Sequence, residues 1–211
     1  MVQQIAILGS TGSIGKNLID IINKDKKKFS IILLTANKNY KELTKQINLL
    51  NLKNIIINDK KNYEKFKIKN KNKNLKVFDN FEIYEKIFKN KIDYVMSSIS
   101  GIEGLKPTLN IIKHTKKIAI ANKEGIICGW NLLNKEIRKN KTQFIPVDSE
   151  HFSIWYSLKN NNDDIEKIFL TASGGPFYDT PLKNFKHIKI KDALKHPNWK
   201  MGKKISIDSA T

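Results

Sequence analysis

Asp148 and Glu150 stand two residues apart in Val147-Asp148-Ser149-Glu150-His151. On a continuing strand both carboxylates would point to one side. Like charges so placed repel unless a cation lies between them, and oxygen donors suit Mg²⁺ or Mn²⁺. The same residues also read as a helix start, with Asp148 capping the first turn and Glu150 meeting the helix dipole. The stretch alone leaves metal and cap open.

A second chemistry-bearing stretch is Gly9-Ser10-Thr11-Gly12-Ser13-Ile14-Gly15. It follows the apolar run Ile5-Ala6-Ile7-Leu8 and precedes Ile14, Leu18, Ile19 and Ile22, which are spaced for a helix. Glycine permits a positive φ and a close approach of a diphosphate to the main chain. The free N–H groups and dipole of the helix start attract the anion. The glycines fall at the first, fourth and seventh positions, not at the first, third and sixth of the common dinucleotide turn. Their place between first strand and first helix favours a dinucleotide site over a turn that only holds helix to sheet. After the next apolar run, Phe29 to Thr35, comes Ala36-Asn37-Lys38-Asn39. An NAD site usually has an acid here for the ribose 2′-hydroxyl. Lys38 offers a cation instead, which favours the 2′-phosphate of NADP; otherwise it is one more surface lysine.

Three further stretches carry polar groups at exposed places. Ala121-Asn122-Lys123-Glu124 closes the apolar run Ile118 to Ala121, where polar groups meet solvent or a ligand. Ser173-Gly174-Gly175-Pro176-Phe177 is a loop whose N–H groups suit a small anion. His196-Pro197-Asn198-Trp199 is an ordered loop, although a lone histidine is more often structural than catalytic.

The elements that must position these residues follow from the apolar pattern. Strands are expected at Ile5–Leu8, Phe29–Thr35, Asn54–Ile57, Val77–Phe78, Tyr94–Ser98, Ile118–Ala121 and Phe144–Val147. Helices alternate with them: one from Ile14, then 40–50, a short one over 63–68, 81–88, 104–113 and 125–139. Small residues after Tyr94–Ser98, namely Ser97 to Gly101, leave room for a ligand at the strand's carboxyl end. Strands alternating with helices predict a parallel sheet covered on both faces. Past 147 the repeat ends, and strands are expected over 165–172 and 203–207.

The chain has 211 residues and a net charge of +19, with Arg138 the one arginine among 39 Lys and Arg residues. The charge invites a nucleic-acid reading, but arginine is the usual fork for bases and phosphates, so a single arginine argues against specific recognition. A positive field still concentrates anionic ligands and gives salt-sensitive sticking to nucleic acid. No apolar run is long enough for a membrane span, and no signal peptide is visible, which points to the cytoplasm. The single cysteine, Cys128, excludes an internal disulfide and reads as a small buried apolar residue.

Taken together, Gly9–Gly15, Ala121–Glu124, Pro146–His151, Leu170–Phe177 and His196–Thr211 resemble the 1-deoxy-D-xylulose 5-phosphate reductoisomerase family, in the family's order and across the whole chain. The resemblance implies an α/β fold: a Rossmann-like doubly wound parallel sheet over 1–147 that binds NADPH. An incomplete α+β catalytic domain over 148–211 would follow. It implies NADPH-dependent isomerisation and reduction of a keto-sugar phosphate to 2-C-methyl-D-erythritol 4-phosphate, in isoprenoid precursor synthesis. Thr11, Gly12, Ser13 and Ile14 would line the diphosphate, and Asn37, Lys38 and Asn39 would surround the 2′-phosphate. Asn37 replaces a glycine common in the family. Asn122, Glu124 and Gly202 would complete the cofactor site. Asp148 and Glu150 would hold Mn²⁺ or Mg²⁺. Lys123, Ser149 and Glu150 would contact substrate, Ser173 and Ser209 its phosphate, and His196 would sit over it, with Trp199 helping to close a lid. Lys123, Glu150 and His196 would be the catalytic group. The full-length protein is expected to be a homodimer.

The family continues past Asp208-Ser209-Ala210-Thr211 into a third metal carboxylate and a helical domain. The 211-residue chain is therefore expected to bind NADPH and to turn over poorly or not at all. One rival is an inactive NADPH-binding Rossmann fragment with non-specific nucleic-acid affinity. Another is a semialdehyde dehydrogenase, which shares the glycine turn but needs a nucleophilic cysteine. Cys128 lies inside a predicted helix without a base nearby in sequence, which disfavours that rival.

Overall fold

The computed structural model describes residues 2–159, 165–170, 174–200 and 202–211, with Lys204 described by its main chain alone. The chain divides into two compact units, residues 1–161 and 162–211.

The first unit runs β1 (Gln3–Leu8), α1 (Ser13–Lys24), β2 (Phe29–Ala36), α2 (Tyr40–Leu49), β3 (Asn54–Ile57), α3 (Lys60–Lys69), β4 (Lys76–Phe78) and α4 (Tyr84–Ile87). It continues through β5 (Ile92–Ser97), α5 (Leu105–Ile111), β6 (Thr115–Ile120), α6 (Lys123–Lys139), β7 (Gln143–Pro146) and α7 (Ser149–Lys159). All strand pairs are parallel, in the order β4-β3-β2-β1-β5-β6-β7. The chain winds outward from β1 to β4 and returns to β5 on the other side of β1. The order therefore reverses between β1 and β5, where open α/β sheets take ligands at their carboxyl ends.

The apolar alternation explains the layers. Ile5 and Ile7 of β1 enter one core with Ile19 and Ile22 of α1. Ala6 and Leu8 enter the opposite core with Ile111 and Ile112. Neighbouring side chains of a strand point to opposite faces, so both faces of this sheet are covered. Each fully buried Ile or Leu contributes about 1.5–3 kcal/mol, which holds the strand ends firmly enough to carry a site.

Two helix starts differ from the expected places, one through a side-chain cap and one through a preceding turn. Asp59 Oδ1 accepts from the N–H of Asn62 at 2.9 Å, so α3 begins at Lys60, earlier than Tyr63. Asn80 Oδ1 accepts from the N–H of Glu82 at 3.0 Å, and the helix expected from Phe81 starts only at Tyr84. Cys128 is exposed, not buried. The buried stripe of α6 is Gly125, Gly129, Leu133 and Ile137, at four-residue spacing, and Cys128 lies just off it.

The second unit holds a short 3₁₀ segment (Leu182–His187), α8 (Ile190–Ala193) and α9 (Lys203–Asp208). Two expected strands are corrected here. Residues 165–170 form neither helix nor strand, and Phe169 and Leu170 are exposed; residues 171–172 lie outside the described residues. The apolar run alone mimicked a buried strand. Lys203–Asp208 is helical: Gly202 precedes it in extended conformation, and its carbonyl accepts from the N–H of Ser206 at 3.0 Å. The Ile205-x-Ile207 alternation suggested a strand, yet both isoleucines are exposed and Ser206 is buried.

Candidate functional site

The glycine turn joins β1 to α1. Gly9 has φ +80°, and a Cβ there would stand 2.8 Å from the Ser98 carbonyl oxygen. Gly15 lies against the turn itself, where a Cβ would be 2.5 Å from the Gly9 carbonyl. Gly12 differs. Its φ is −77°, and a Cβ would meet only the Gly9 carbonyl, at an ordinary 3.5 Å. Nothing in the protein demands glycine there, but the position lines a cleft, so the missing side chain leaves space for a ligand. Gly12 precedes Ser13 and Ile14 in the first turn of α1, which carries no acidic residue, so no carboxylate there would oppose an anion at its N–H groups.

Buried polar groups hold the turn. The N–H of Gly9 donates to Thr35 Oγ1 at 2.9 Å and that of Ser10 to the Thr35 carbonyl at 2.9 Å. The Ser10 hydroxyl donates to Gln46 Oε1 at 2.7 Å, and Gln46 Nε2 donates to the Ser10 carbonyl at 2.9 Å. Thr35 lies next to the end of β2 at Ala36, and the exposed Asn37-Lys38-Asn39 follows. Asn39 caps α2 by accepting from the N–H of Glu42 at 3.2 Å.

The cleft has a volume of about 740 Å³, the size of a small-molecule site. Gly9, Thr11, Gly12 and Asn37 line it, with Ser98, Ile99 and Ser100 after β5 as the small-residue pattern implied. Thr35, Asn58, Asn80, Phe81, Glu103, Lys106 and Asn110 also line it and were not singled out in the sequence. Asn58 and Asn80 follow β3 and β4, so their signal was position just past a parallel strand.

β6 and β7 are neighbours, with Ile120 paired to Pro146. Their carboxyl ends carry Asn122-Lys123-Glu124 and Asp148-Ser149-Glu150 to adjacent places. Asn122 is buried and its side chain serves the fold. Its Oδ1 accepts from the N–H of Gly125 at 2.9 Å, and its Nδ2 donates to the carbonyls of Ile99 at 2.8 Å and Gly101 at 2.5 Å. It thereby fixes Lys123, which is exposed, and Glu124 at the start of α6.

Asp148 does not continue the strand. β7 ends at Pro146 and α7 begins at Ser149, so the side-by-side strand geometry of the two carboxylates is absent. Asp148 Oδ1 accepts from the N–H of His151 at 3.2 Å and pairs with the His151 ring. Partial burial opposes ionisation of Asp148. Hydrogen bonds from the His151 ring and N–H, with the charges of His151 and Lys123, outweigh it and hold the carboxyl below its ordinary range. The Ser149 hydroxyl donates to Glu150 Oε2 at 2.9 Å. Among the described residues no group of three His, Cys, Asp or Glu side chains could hold a metal. Asp148 and Glu150 are oxygen donors of the type a hard cation takes, and two are short of a full set.

Within the second unit, His196 Nδ1 accepts from the N–H groups of Asn198 at 3.2 Å and Trp199 at 3.1 Å, which leaves Nε2 as the donor nitrogen of a neutral ring. The Ser209 hydroxyl donates to the Ile205 carbonyl at 2.8 Å. The Phe177 N–H donates to the Ala210 carbonyl at 2.9 Å, and a Cβ on Gly175 would overlap the Ser209 carbonyl. The Gly-Gly-Pro-Phe loop therefore packs against residues 209–210. A Cβ on Gly202 would meet nothing within 4 Å. Ser173 lies outside the described residues.

Comparison with known proteins adds two family matches. Residues 5–129 match the model described as 1-deoxy-D-xylulose 5-phosphate reductoisomerase, and residues 144–211 match the C-terminal domain model of that name. A 1-deoxy-D-xylulose 5-phosphate reductoisomerase of Pelagibacter ubique is 61% identical over 99% of this chain and 55% of its own length. One from Wolbachia pipientis of Culex pipiens is 43% identical over 99% of this chain and 54% of its own. The chain thus spans about half the length of the curated relatives it matches. Among solved structures, the Zymomonas mobilis enzyme in complex with NADPH aligns over 100% of this chain and 54% of its own. Its TM-score is 0.87, at 34% identity. A DOX-P reductoisomerase in complex with NADPH, fosmidomycin and magnesium aligns over 99% of this chain and 54% of its own, with TM-score 0.83 and 31% identity.

Proposed function

The chain belongs to the 1-deoxy-D-xylulose 5-phosphate reductoisomerase family, and on that footing we propose that it supplies the NADPH-binding part and the start of the catalytic part of such an enzyme. The reaction is the NADPH-dependent isomerisation and reduction of 1-deoxy-D-xylulose 5-phosphate to 2-C-methyl-D-erythritol 4-phosphate. The observation that carries this reading is the cradle at Gly12. There the protein leaves open a space that a Cβ would enter, beside an unopposed helix start and one strand away from Lys38.

In this reading residues 1–147 bind NADPH and residues 148–211 begin the catalytic domain. Thr11, Gly12, Ser13 and Ile14 hold the diphosphate, and Asn37, Lys38 and Asn39 the 2′-phosphate. Asn122, Glu124 and Gly202 complete the cofactor site. Asp148 and Glu150 are metal ligands. Bound NADPH supplies the hydride, and a bound divalent metal a Lewis acid. Lys123 steadies developing oxyanion charge. Ser149 and Glu150 orient substrate, Ser173 and Ser209 take its phosphate, and His196 covers it. The protein works in the cytoplasm and as a homodimer when joined to the rest of a full-length enzyme. The family match and the cleft favour this over an inactive nucleotide-binding fragment.

The test joins this chain to the remaining half of the Pelagibacter ubique relative and follows NADPH absorbance with substrate and Mn²⁺. Oxidation that requires both is expected. A folded chimera that binds NADPH yet leaves substrate unchanged overturns the substrate assignment. The 211-residue chain alone offers two carboxylates, so it is expected to bind NADPH and turn over slowly at most; a rate equal to that of an intact reductoisomerase overturns that.

A further inference from the structure

We infer that Gln46 is a positioning residue for the cofactor-binding turn, acting through Ser10; the inference rests on the NADPH reading above. Gln46 is 3% exposed and Ser10 fully buried. On α2 it follows Leu43 by three residues and lies on the stripe that faces the core. A leucine or methionine would fill that place. An amide there is stable only because both of its ends are satisfied, Oε1 by the Ser10 hydroxyl at 2.7 Å and Nε2 by the Ser10 carbonyl at 2.9 Å.

The bond to the Ser10 carbonyl orients one peptide plane, and the bond from the Ser10 hydroxyl holds the amide that makes it. The Ser10–Thr11 peptide is trans and planar, so its C=O and N–H point in opposite directions. With the Ser10 carbonyl drawn to Gln46, the Thr11 N–H faces away from α2. Thr11 and Gly12 line the cleft where the diphosphate binds. Gln46 thus aims a donor that it does not itself share with the ligand. It also joins two parts of the site. α2 starts at the Asn37–Asn39 loop, and Gln46 lies about 10 Å further along the helix. The salt bridge from Lys16 to Glu42, 3.7 Å long, ties α2 to α1 at the surface. The reciprocal amide–serine pair ties α2 to the turn itself, in the interior.

The test compares the 211-residue chain with Gln46→Met, which keeps length and volume but removes both bonds, and with Ser10→Ala. NADPH affinity is read by nicotinamide fluorescence well below the unfolding temperature. Adenosine 2′-monophosphate, which has the 2′-phosphate but no diphosphate, is read by competition. Gln46→Met is expected to weaken NADPH about tenfold and to leave adenosine 2′-monophosphate within about twofold. The double variant is expected to lose no more than Gln46→Met alone, since both changes break one unit. Equal weakening of both ligands would mean a loosened fold and overturn the inference, as would unchanged NADPH affinity. If the unaltered chain does not bind NADPH, the cofactor reading fails first, which sets that failure apart.

Discussion

The Ser98 carbonyl oxygen lies 2.8 Å from where a Cβ on Gly9 would stand, so the two strands at the reversal of the sheet meet main chain to main chain. The Ser98 hydroxyl and N–H both donate to the Leu8 carbonyl, at 2.8 and 2.9 Å, which locks the approach. Gly9→Ala meets a positive φ and a backbone wall that cannot move aside. It should destabilise the chain by about 1–3 kcal/mol. Thermal unfolding lowered by several degrees is the expected reading; an unchanged midpoint would mean that the turn yields.

Gly12→Ala is the counterpart. The φ of −77° suits alanine, and the nearest atom is 3.5 Å away. Stability should stay within about 1 kcal/mol, because the weaker helix cap is offset by lower chain entropy. NADPH affinity should fall at least tenfold, about 1.4 kcal/mol, because the methyl enters the space for the diphosphate. A variant with normal melting and normal NADPH binding would remove the cradle argument.

Asp148 leads to a metal prediction. Its carboxyl is held below the ordinary range, so it stays ionised as pH falls through the usual carboxylate region. Any stability it adds is present above about 3.9, the unfolded value, and is lost as pH falls through the lower folded value. Mn²⁺ should bind weakly to the 211-residue chain, and Asp148→Asn or Glu150→Gln should reduce that binding by tenfold or more, on the order of lost ligand support. Manganese paramagnetic resonance reads this directly. Equal Mn²⁺ binding by both variants would move the metal elsewhere.

Legibility in the sequence tracked how local each cause was. The β1–turn–α1 unit could be read because its apolar run, glycines and helical spacing are contiguous and agree. The parallel sheet followed from the alternation of such units. Asn58 and Asn80 were missed because they become cleft residues only when β3 and β4 join the sheet edge. Gln46 was missed because a buried glutamine looks like any polar helix residue until Ser10 is seen against it. The Asp148 cap was legible as an alternative, and the helix from Ser149 decided the local geometry. The 203–207 segment failed because two isoleucines in alternation outweighed the helix start that Gly202 provides.

His114 gives a pH prediction with the less common sign. It is 8% exposed, packed on Tyr84 and Phe88 with ring centroids 6.2 and 5.5 Å away. Burial lowers its pKa, the Lys113 charge adds to that, and Glu85 opposes it. The unfolded histidine titrates near 6.5. Between that value and the lower folded value the unfolded chain binds a proton that the folded chain does not. Stability therefore falls as pH drops below about 6.5. Urea unfolding at a series of pH values should show this slope, and His114→Gln should flatten it. An identical slope in the variant would assign the acid sensitivity to other groups.

Lys38 leads to a prediction about cofactor preference. It is exposed after β2, where no acidic side chain stands among Asn37, Lys38 and Asn39 to meet a ribose 2′-hydroxyl. A charge-assisted contact to a 2′-phosphate is worth about 1.5–3 kcal/mol, which corresponds to roughly tenfold to a hundredfold in affinity. Lys38→Ala should weaken NADPH by that factor and leave NADH nearly unchanged. The NADPH preference of the unaltered chain should shrink as salt is raised, because an exposed ion pair is screened. Calorimetric titration with both cofactors at two salt concentrations separates the possibilities. Equal losses for NADPH and NADH would mean that Lys38 serves the turn or the general positive field. No loss for either would leave the lysine as one of the many that simply face water.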